Sequence, residues 1–484
     1  MESSLFIGRK KELERMTAVH KKSAPSLVVI KGRRRVGKSR LIHYFASQQG
    51  EGRLWDFAGL APEEGMDAQS QRDHFAKQLA SQLNLPPFTF TDWTDAFETL
   101  SRHIKMGDLI VLDEISWMGS HDPCFAPKLK EWWDKQTFRI TTFLCGSVST
   151  WIEDNILKST AFFGRINLTI TLEPLSIPES YQLLKASGFQ GSDYDAYKLL
   201  SILGGIPWYL EQISPGQTAD DLIKALCFEK DGLLVLEFDR IFHDLCSGKG
   251  STYKKILDSL KEGMQTLASI RKTIAFPPSG TLSTLMEHLI IAGFVEKQEL
   301  WSFKTTKPLK QSLYRICDPY MRFYLKVIHP QRSKIDLGGF QNIPLSNMPG
   351  FEAHMGLQLE LLLLQNKKIL LAAIGINPAD VIAYGPFRQF KTTSKSGCQI
   401  DYLIQTATKN LFVSEFKFKR KELGVEIISQ VEEKLRALKA PRGFATIPVL
   451  FHLGGVTSNL STGSYFYRII DITDFLKASV IENK

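Results

Sequence analysis

The chain has 484 residues, 43% of them hydrophobic and 23% charged, with a formal net charge of +9. That is too long for one hydrophobic core and implies about two to four domains of ordinary globular composition. The six cysteines are scattered with no C-x-x-C pair, which argues against a disulfide scaffold or a zinc module. The apolar runs at 361–364 and 369–373 fall well short of the ~20 residues of a membrane span.

The N-terminus has no signal-peptide apolar region, so a cytoplasmic setting with reduced thiols and no membrane partner is expected. The positive charge favours a polyanionic partner, although a surplus of surface lysines explains it equally well. In chain order, the apolar run 27–30 reads as a buried strand opened by Pro25. The run Gly-Arg-Arg-Arg-Val-Gly-Lys-Ser follows from Gly32 to Ser39, and helical spacing resumes at Arg40. Strand, glycine loop and helix together form a phosphate cradle. Gly32 and Gly37 let the backbone wrap phosphates without a Cβ in the way. Arg35, Val36 and Arg40 complete the loop's candidate contacts with ATP. Lys38 is placed for the β- and γ-phosphates and Ser39 for Mg²⁺. Arg33, Arg34 and Arg35 occupy variable loop positions, where solvent exposure is the default.

Further strands are expected at 54–57, 109–112, 141–144 and 168–172, separated by helical patterns, as in a doubly wound parallel sheet. The all-apolar run 109–112 ends in Asp113-Glu114. Acids at the C-terminal end of such a strand lie in the ligand crevice. Asp113 can then reach magnesium, and Glu114 can polarise the attacking water.

These segments, with Phe6-Ile-Gly-Arg9, Leu144-Cys-Gly-Ser147, Phe163-Gly-Arg165, Pro174-Leu175 and Gly204-Gly-Ile-Pro207, stand in one order over residues 5–215. In that order they resemble the archaeal-type P-loop ATPases of the AAA+/STAND group. The resemblance implies that Ser147 senses the γ-phosphate. It makes Arg165 the candidate arginine finger and, if that arginine acts in trans, makes the active form a homo-oligomer. It also implies a helical lid from 173 to 240 after an ATPase core at 1–172.

Residues 241–335 read as a winged helix, with helices at 253–260, 266–274 and 283–292 and wing strands at 294–297 and 312–316. The DNA-binding reading puts Ser279, Thr281, Ser283, Thr284 and His288 in the groove and Arg271, Lys272 and Lys307 on phosphates. The competing reading is a packing adaptor beside the ATPase.

Residues 336–484 form a second α/β pattern. The runs 399–405 and 411–417 flank a short polar connection and should pair as a hairpin. Glu415 and Lys417 are two apart and so share a face, with Asp401 on the neighbouring strand. This D…E-x-K set is similar to that of PD-(D/E)XK nucleases, although a plain hairpin salt bridge gives the same pattern. The resemblance implies that Asp401 and Glu415, helped by Glu352 on an upstream helix, hold Mg²⁺ or Mn²⁺. Lys417 would then orient a water, and Gln430 would add a polar group from the next helix. The expected architecture is therefore an α/β multidomain chain: a parallel-sheet AAA+-type core, helical lid, winged helix and restriction-endonuclease-like domain. The function expected is that of an ATP-regulated, metal-dependent DNA nuclease. The alternatives are an ATP-gated DNA-binding regulator and a protein-remodelling ATPase, each with an inactive nuclease fold.

Overall fold

The computed structural model describes residues 5–477 except 62, 64, 148–149, 246–249, 279, 302, 304–307, 341–342, 349, 390, 392–395 and 439. Two expected DNA contacts, Ser279 and Lys307, lie outside the described residues.

Five strands form the N-terminal sheet: β1 Ser26–Gly32, β2 Leu54–Ala58, β3 Leu109–Asp113, β4 Thr141–Ser147 and β5 Ile166–Leu172, in the order β2-β3-β4-β1-β5. Every pairing is parallel. A parallel sheet is covered on both faces, which is why β1, β3 and β4 are near-continuous apolar runs and not alternating ones. Helices fill the two faces with separate cores, one built on Leu27, Trp55, Phe75 and Trp93, the other on Val28, Leu41, Phe45 and Phe143. Because β4 lies between β1 and β3, Ser147 is the register neighbour of Gly32.

A second sheet is small: β6 Gln265–Thr266, β7 Val295–Trp301 and β8 Pro308–Ile316, in the order β6-β8-β7, beside the helices Gly250–Leu260, Leu267–Thr273 and Thr281–Ile291. The third sheet runs β13-β12-β11-β10-β9, with β9 Val381–Gln389, β10 Cys398–Thr406, β11 Asn410–Lys417, β12 Ala445–His452 and β13 Arg468–Asp471. β9, β10 and β11 are antiparallel neighbours, whereas β11, β12 and β13 are parallel. The helices Phe351–Gln365 and Lys367–Ile374 precede this sheet in the chain, and Glu426–Leu438 connects β11 to β12.

Period-two alternation sorts β11. Leu411 and Val413 join a core with Leu438, while Phe412 and Phe416 enter a much larger core on the other face. That larger core is continuous from Leu175 to Leu476, passing through helices 193–203, 250–260 and 351–365 into the third sheet. Most of the chain after β5 is thus tied together by this one core, with two smaller cores on the third sheet, while the N-terminal sheet keeps its own. Among the described residues no helix is long and apolar enough to cross a membrane.

Candidate functional sites

The phosphate loop leaves β1 at Gly32, where a Cβ would stand 2.6 Å from the Leu172 carbonyl oxygen. Gly37, at φ +93°, turns the chain into the helix Lys38–Gln48. The Lys38 ammonium folds back over the loop and donates to the carbonyls of Gly32 (3.2 Å) and Arg33 (3.4 Å). Ser39 Oγ donates to Asp113 Oδ2 at 2.5 Å, so the two expected magnesium oxygens meet. The other Asp113 oxygen accepts the Glu114 amide at 2.8 Å. Glu114 has φ +46°, a left-handed conformation uncommon outside glycine. Its carboxylate accepts from the Ser147 amide (3.2 Å) and hydroxyl (3.3 Å). Gly32, Val36, Gly37, Lys38, Ser39, Asp113, Glu114 and Ser147 therefore line one crevice at the C-terminal ends of β1, β3 and β4. Arg9 braces the loop from the entry segment, with Nη2 donating to the Val36 carbonyl at 3.2 Å.

The loop arginines depart from expectation. Arg33 is buried, not exposed: its Nε lies 2.7 Å from Asp318 Oδ2, and its guanidinium sits 5.4 Å from the Tyr209 ring centroid and 5.6 Å from that of Phe294. Arg35 pairs with Glu237 at 2.9 Å and stacks 3.4 Å over the Trp208 ring. Arg40 pairs with Glu211. The side chains of Arg35 and Arg40 are thus turned to the lid and away from a phosphate position. Within the lid itself, Gly205 lets two segments approach closely: a Cβ there would be 2.0 Å from the Leu175 carbonyl oxygen. Burial raises the Glu237 carboxyl above its ordinary range, with Arg35 opposing.

Arg165 stands just before β5, whose first residue is in register with Leu27 at the start of β1. It is therefore at the opposite end of the sheet from Gly32 and cannot reach its own crevice. Here it makes a two-pronged pair with Asp134, at 2.6 Å and 3.0 Å. Phe163 beside it is 86% exposed.

In the third sheet Asp401, Glu415 and Lys417 do come together. Glu415, 2% exposed, receives the Lys417 ammonium on Oε1 (2.8 Å) and the Lys434 ammonium on Oε2 (2.5 Å). Lys434 also lies 3.7 Å from Asp401 Oδ1, and Asp401 Oδ2 accepts the Phe416 amide at 2.9 Å. Burial and the Glu415 charge push the Asp401 carboxyl above its ordinary value, with Lys434 opposing. Two expectations are corrected here. Glu352 is exposed and its Oε2 lies 3.4 Å from the Tyr194 hydroxyl of the lid. The acid of the same helix that feels Asp401 is Glu360, pushed up to about 7 by burial and then by that charge, against Arg322 and Arg315. Gln430 is exposed, and the residue its helix presents to the carboxylates is Lys434, one turn later. Sequence reasoning missed both Glu360 and Lys434. The one available signal for Lys434 was its i+4 spacing from Gln430.

Hard carboxylate oxygens suit Mg²⁺ or Mn²⁺, and the bridging ammonium marks a place where a cation is shared. As arranged, no group of three or more His, Cys, Asp or Glu side chains among the described residues is close enough to hold a metal ion.

In the middle region Thr281, Ser283, Thr284 and Lys272 are exposed. His288 instead turns inward, with Nδ1 2.6 Å from the Tyr253 hydroxyl. Arg271 is half-buried. The outer hairpin strand β7 is not free: Trp301 Nε1 donates to Gln405 Oε1 at 3.0 Å, Gln298 donates to the Pro386 carbonyl, and the Trp301 and Phe387 rings meet at 5.7 Å.

Against known proteins, the uncharacterized protein MJECL04 of Methanocaldococcus jannaschii is 24% identical over 345 residues, covering 69% of this chain and 72% of that one. Among solved structures, Aeropyrum pernix ORC2 with ADPNP and ADP is 13% identical, covers 70% of this chain and 98% of its own, and has a TM-score of 0.41. The Thermotoga maritima RuvB Holliday junction branch migration motor is 16% identical, with coverages of 60% and 90% and a TM-score of 0.35. Residues 6–213 match the family described as "ATPase domain predominantly from Archaea". Placed beside the crevice just described, that match makes this N-terminal segment an archaeal-type ATPase domain.

Proposed function

We propose that the protein is an ATP-regulated, metal-dependent DNA nuclease, with nucleotide chemistry in the N-terminal crevice and phosphodiester chemistry at the Asp401 face. The observation that carries the second half is the convergence of Asp401, Glu415 and Lys417 on adjacent strands. In the crevice, Lys38 binds phosphate, Ser39 and Asp113 hold Mg²⁺, Glu114 orients water, and Ser147 holds Glu114 until a γ-phosphate competes for it. At the third sheet, Asp401 and Glu415 would hold Mg²⁺ or Mn²⁺, and Glu360, not Glu352, is the helix acid electrostatically linked to Asp401. A cation bound there lowers the pKa of its water and neutralises charge developing on the phosphodiester. Lys417 rests on Glu415, where it can orient that water. Lys419, Arg420 and Lys421, all exposed just past β11, supply contacts to a sugar–phosphate chain. The helix Thr281–Ile291 offers its exposed polar face to DNA, but the hairpin docked on β9 and β10 does not. Arg165 serves a neighbouring copy in a homo-oligomer.

Full-length protein with linear, supercoiled and branched DNA, Mg²⁺ or Mn²⁺, with and without ATP, tests this. Cleavage lost in Asp401→Ala and in Lys417→Ala is expected, and no cleavage under any condition refutes it. One observation favours a second reading, an ATP-gated DNA-binding regulator whose nuclease fold is inactive: the Lys434 ammonium already bridges the two carboxylates where a cation would sit. That reading predicts gel shifts without cutting.

A further inference from the structure

The phosphate loop and the helix Phe351–Gln365, which carries Glu360, are joined by a run of polar contacts among buried groups. It begins at Lys38, whose ammonium is shared by the carbonyls of Gly32 and Arg33. A triphosphate in the loop draws that ammonium toward its own oxygens, so nucleotide entry is felt first at the backbone of Arg33. The Arg33 side chain has little freedom to absorb the change. It is 7% exposed, wedged between the Tyr209 and Phe294 rings, and paired with Asp318, itself 5% exposed.

Asp318 passes the constraint on. Its Oδ1 accepts the Met321 amide at 2.8 Å and so caps the helix Pro319–Phe323. The carbonyl of Pro319, the first residue of that helix, accepts Gln358 Nε2 at 2.7 Å, and the same nitrogen donates to the Ser201 carbonyl at 3.1 Å. Gln358 is buried at 3% exposure on the helix Phe351–Gln365, two positions before Glu360, the acid that senses Asp401. From Arg33 to Gln358 each link joins buried polar groups that have no water to fall back on, so a shift at one end strands a partner at the next, and the helix itself carries the last step from Gln358 to Glu360.

We propose that nucleotide occupancy of the phosphate loop and the arrangement of the Glu360–Asp401–Glu415 face are thermodynamically coupled through Arg33, Asp318 and Gln358. The inference names the regulation of the nuclease site proposed above and rests on that reading for what is regulated. The coupling itself is read without any cleavage. Because coupling is reciprocal, whatever binds the acids alters nucleotide affinity by the same factor.

Hydrogen exchange on the full chain, with and without a non-hydrolysable ATP analogue and Mg²⁺, tests it. In the wild type, peptides covering 351–365 and 398–406 change exchange rate by at least ~5-fold, the lower end of ordinary allosteric coupling. Asp318→Asn and Gln358→Met each still bind the analogue, as read by fluorescence anisotropy, yet lose that change. Gln358→Met keeps the side-chain volume and carries the test if Asp318→Asn does not fold. The proposal is overturned if wild-type phosphate-loop peptides are protected while 351–365 and 398–406 stay unchanged. It is overturned equally if the change survives Gln358→Met. Absence of DNA cleavage alongside an intact exchange response sinks the nuclease reading and leaves the coupling standing.

Discussion

Replacing Glu360 by Gln should make the protein more stable at alkaline pH, the reverse of what most buried-site substitutions do. Burial and the nearby Asp401 raise the Glu360 carboxyl from its ordinary 4.5 to about 7. A raised acid favours folding while it stays protonated. Its contribution is fully present below about pH 4.5 and is lost as pH climbs through 7. At 1.36 kcal/mol per tenfold change in acidity, the cost of ionising it in place reaches about 3 kcal/mol at pH 8 and stays under about 1 kcal/mol at pH 5. Gln mimics the protonated acid and carries no charge, so Glu360→Gln removes the cost at pH 8 and changes little at pH 5. The assay is thermal unfolding at the two pH values, followed by a signal from the C-terminal sheet. A gain of roughly 2–4 °C per kcal/mol is expected for a unit of that size. Glu352→Gln is the control, since Glu352 is exposed on the lid side, and it should be flat at both pH values. Equal midpoints for wild type and Glu360→Gln at pH 8, or the same gain from Glu352→Gln, would refute the burial of an acid at Glu360. If the acids take up Mn²⁺, the cation should shrink the pH 8 advantage of the variant by stabilising the wild type more.

Three further outcomes follow from the N-terminal geometry. Glu114→Gln should leave nucleotide affinity near wild type and lower turnover by roughly 10²–10⁴-fold, the usual worth of a positioned base; a matching loss of affinity in equilibrium binding would contradict that role. Arg165→Ala should bind nucleotide normally and lose turnover only at concentrations where light scattering detects assembly, because the arginine sits at the far end of its own sheet. Loss of turnover in the monomer would contradict the register argument. Gly205→Ala should cost on the order of 2–4 kcal/mol, because its Cβ would fall 2.0 Å from the Leu175 carbonyl oxygen; a denaturation midpoint equal to wild type would show that this close approach within the lid relaxes freely.

The phosphate loop was legible because its chemistry is local: a short stretch of chain fixes both the backbone path and the ligand. The buried strands were legible for a related reason, since continuous apolar runs such as 109–112 have few alternatives to a parallel sheet. The hairpin that joins Asp401 to Glu415 was readable from two apolar runs and a short polar link. What failed was rotation about helix axes. The helix Phe351–Gln365 is apolar on nearly every side, because it is wedged between lid and sheet, so its sequence gives no stripe to tell Glu352 from Glu360. The helix Glu426–Leu438 had a readable face, but Gln430 and Lys434 are one turn apart, and only the seating of Ile427 and Val431 against Leu450 decides which one reaches the strands. The loop arginines failed for a third reason. Their burial depends on Asp318, Glu237 and Trp208, more than 170 residues away in sequence, and no local pattern encodes a partner at that separation.

The chain steps out of the N-terminal sheet once, between Leu172 and Leu175, and one large core runs through most of what lies beyond. The molecule is therefore divisible at one peptide junction into two fragments whose cores meet mainly at Ile7 of the entry segment. What rejoins them is mainly a handful of guanidinium groups on the phosphate loop, seated in carboxylate and aromatic sockets on the other piece. A nick in that stretch leaves a non-covalent pair whose adhesion rests on buried ion pairs and aromatic seats, is little screened by salt, and is borne by the very loop that grips the nucleotide.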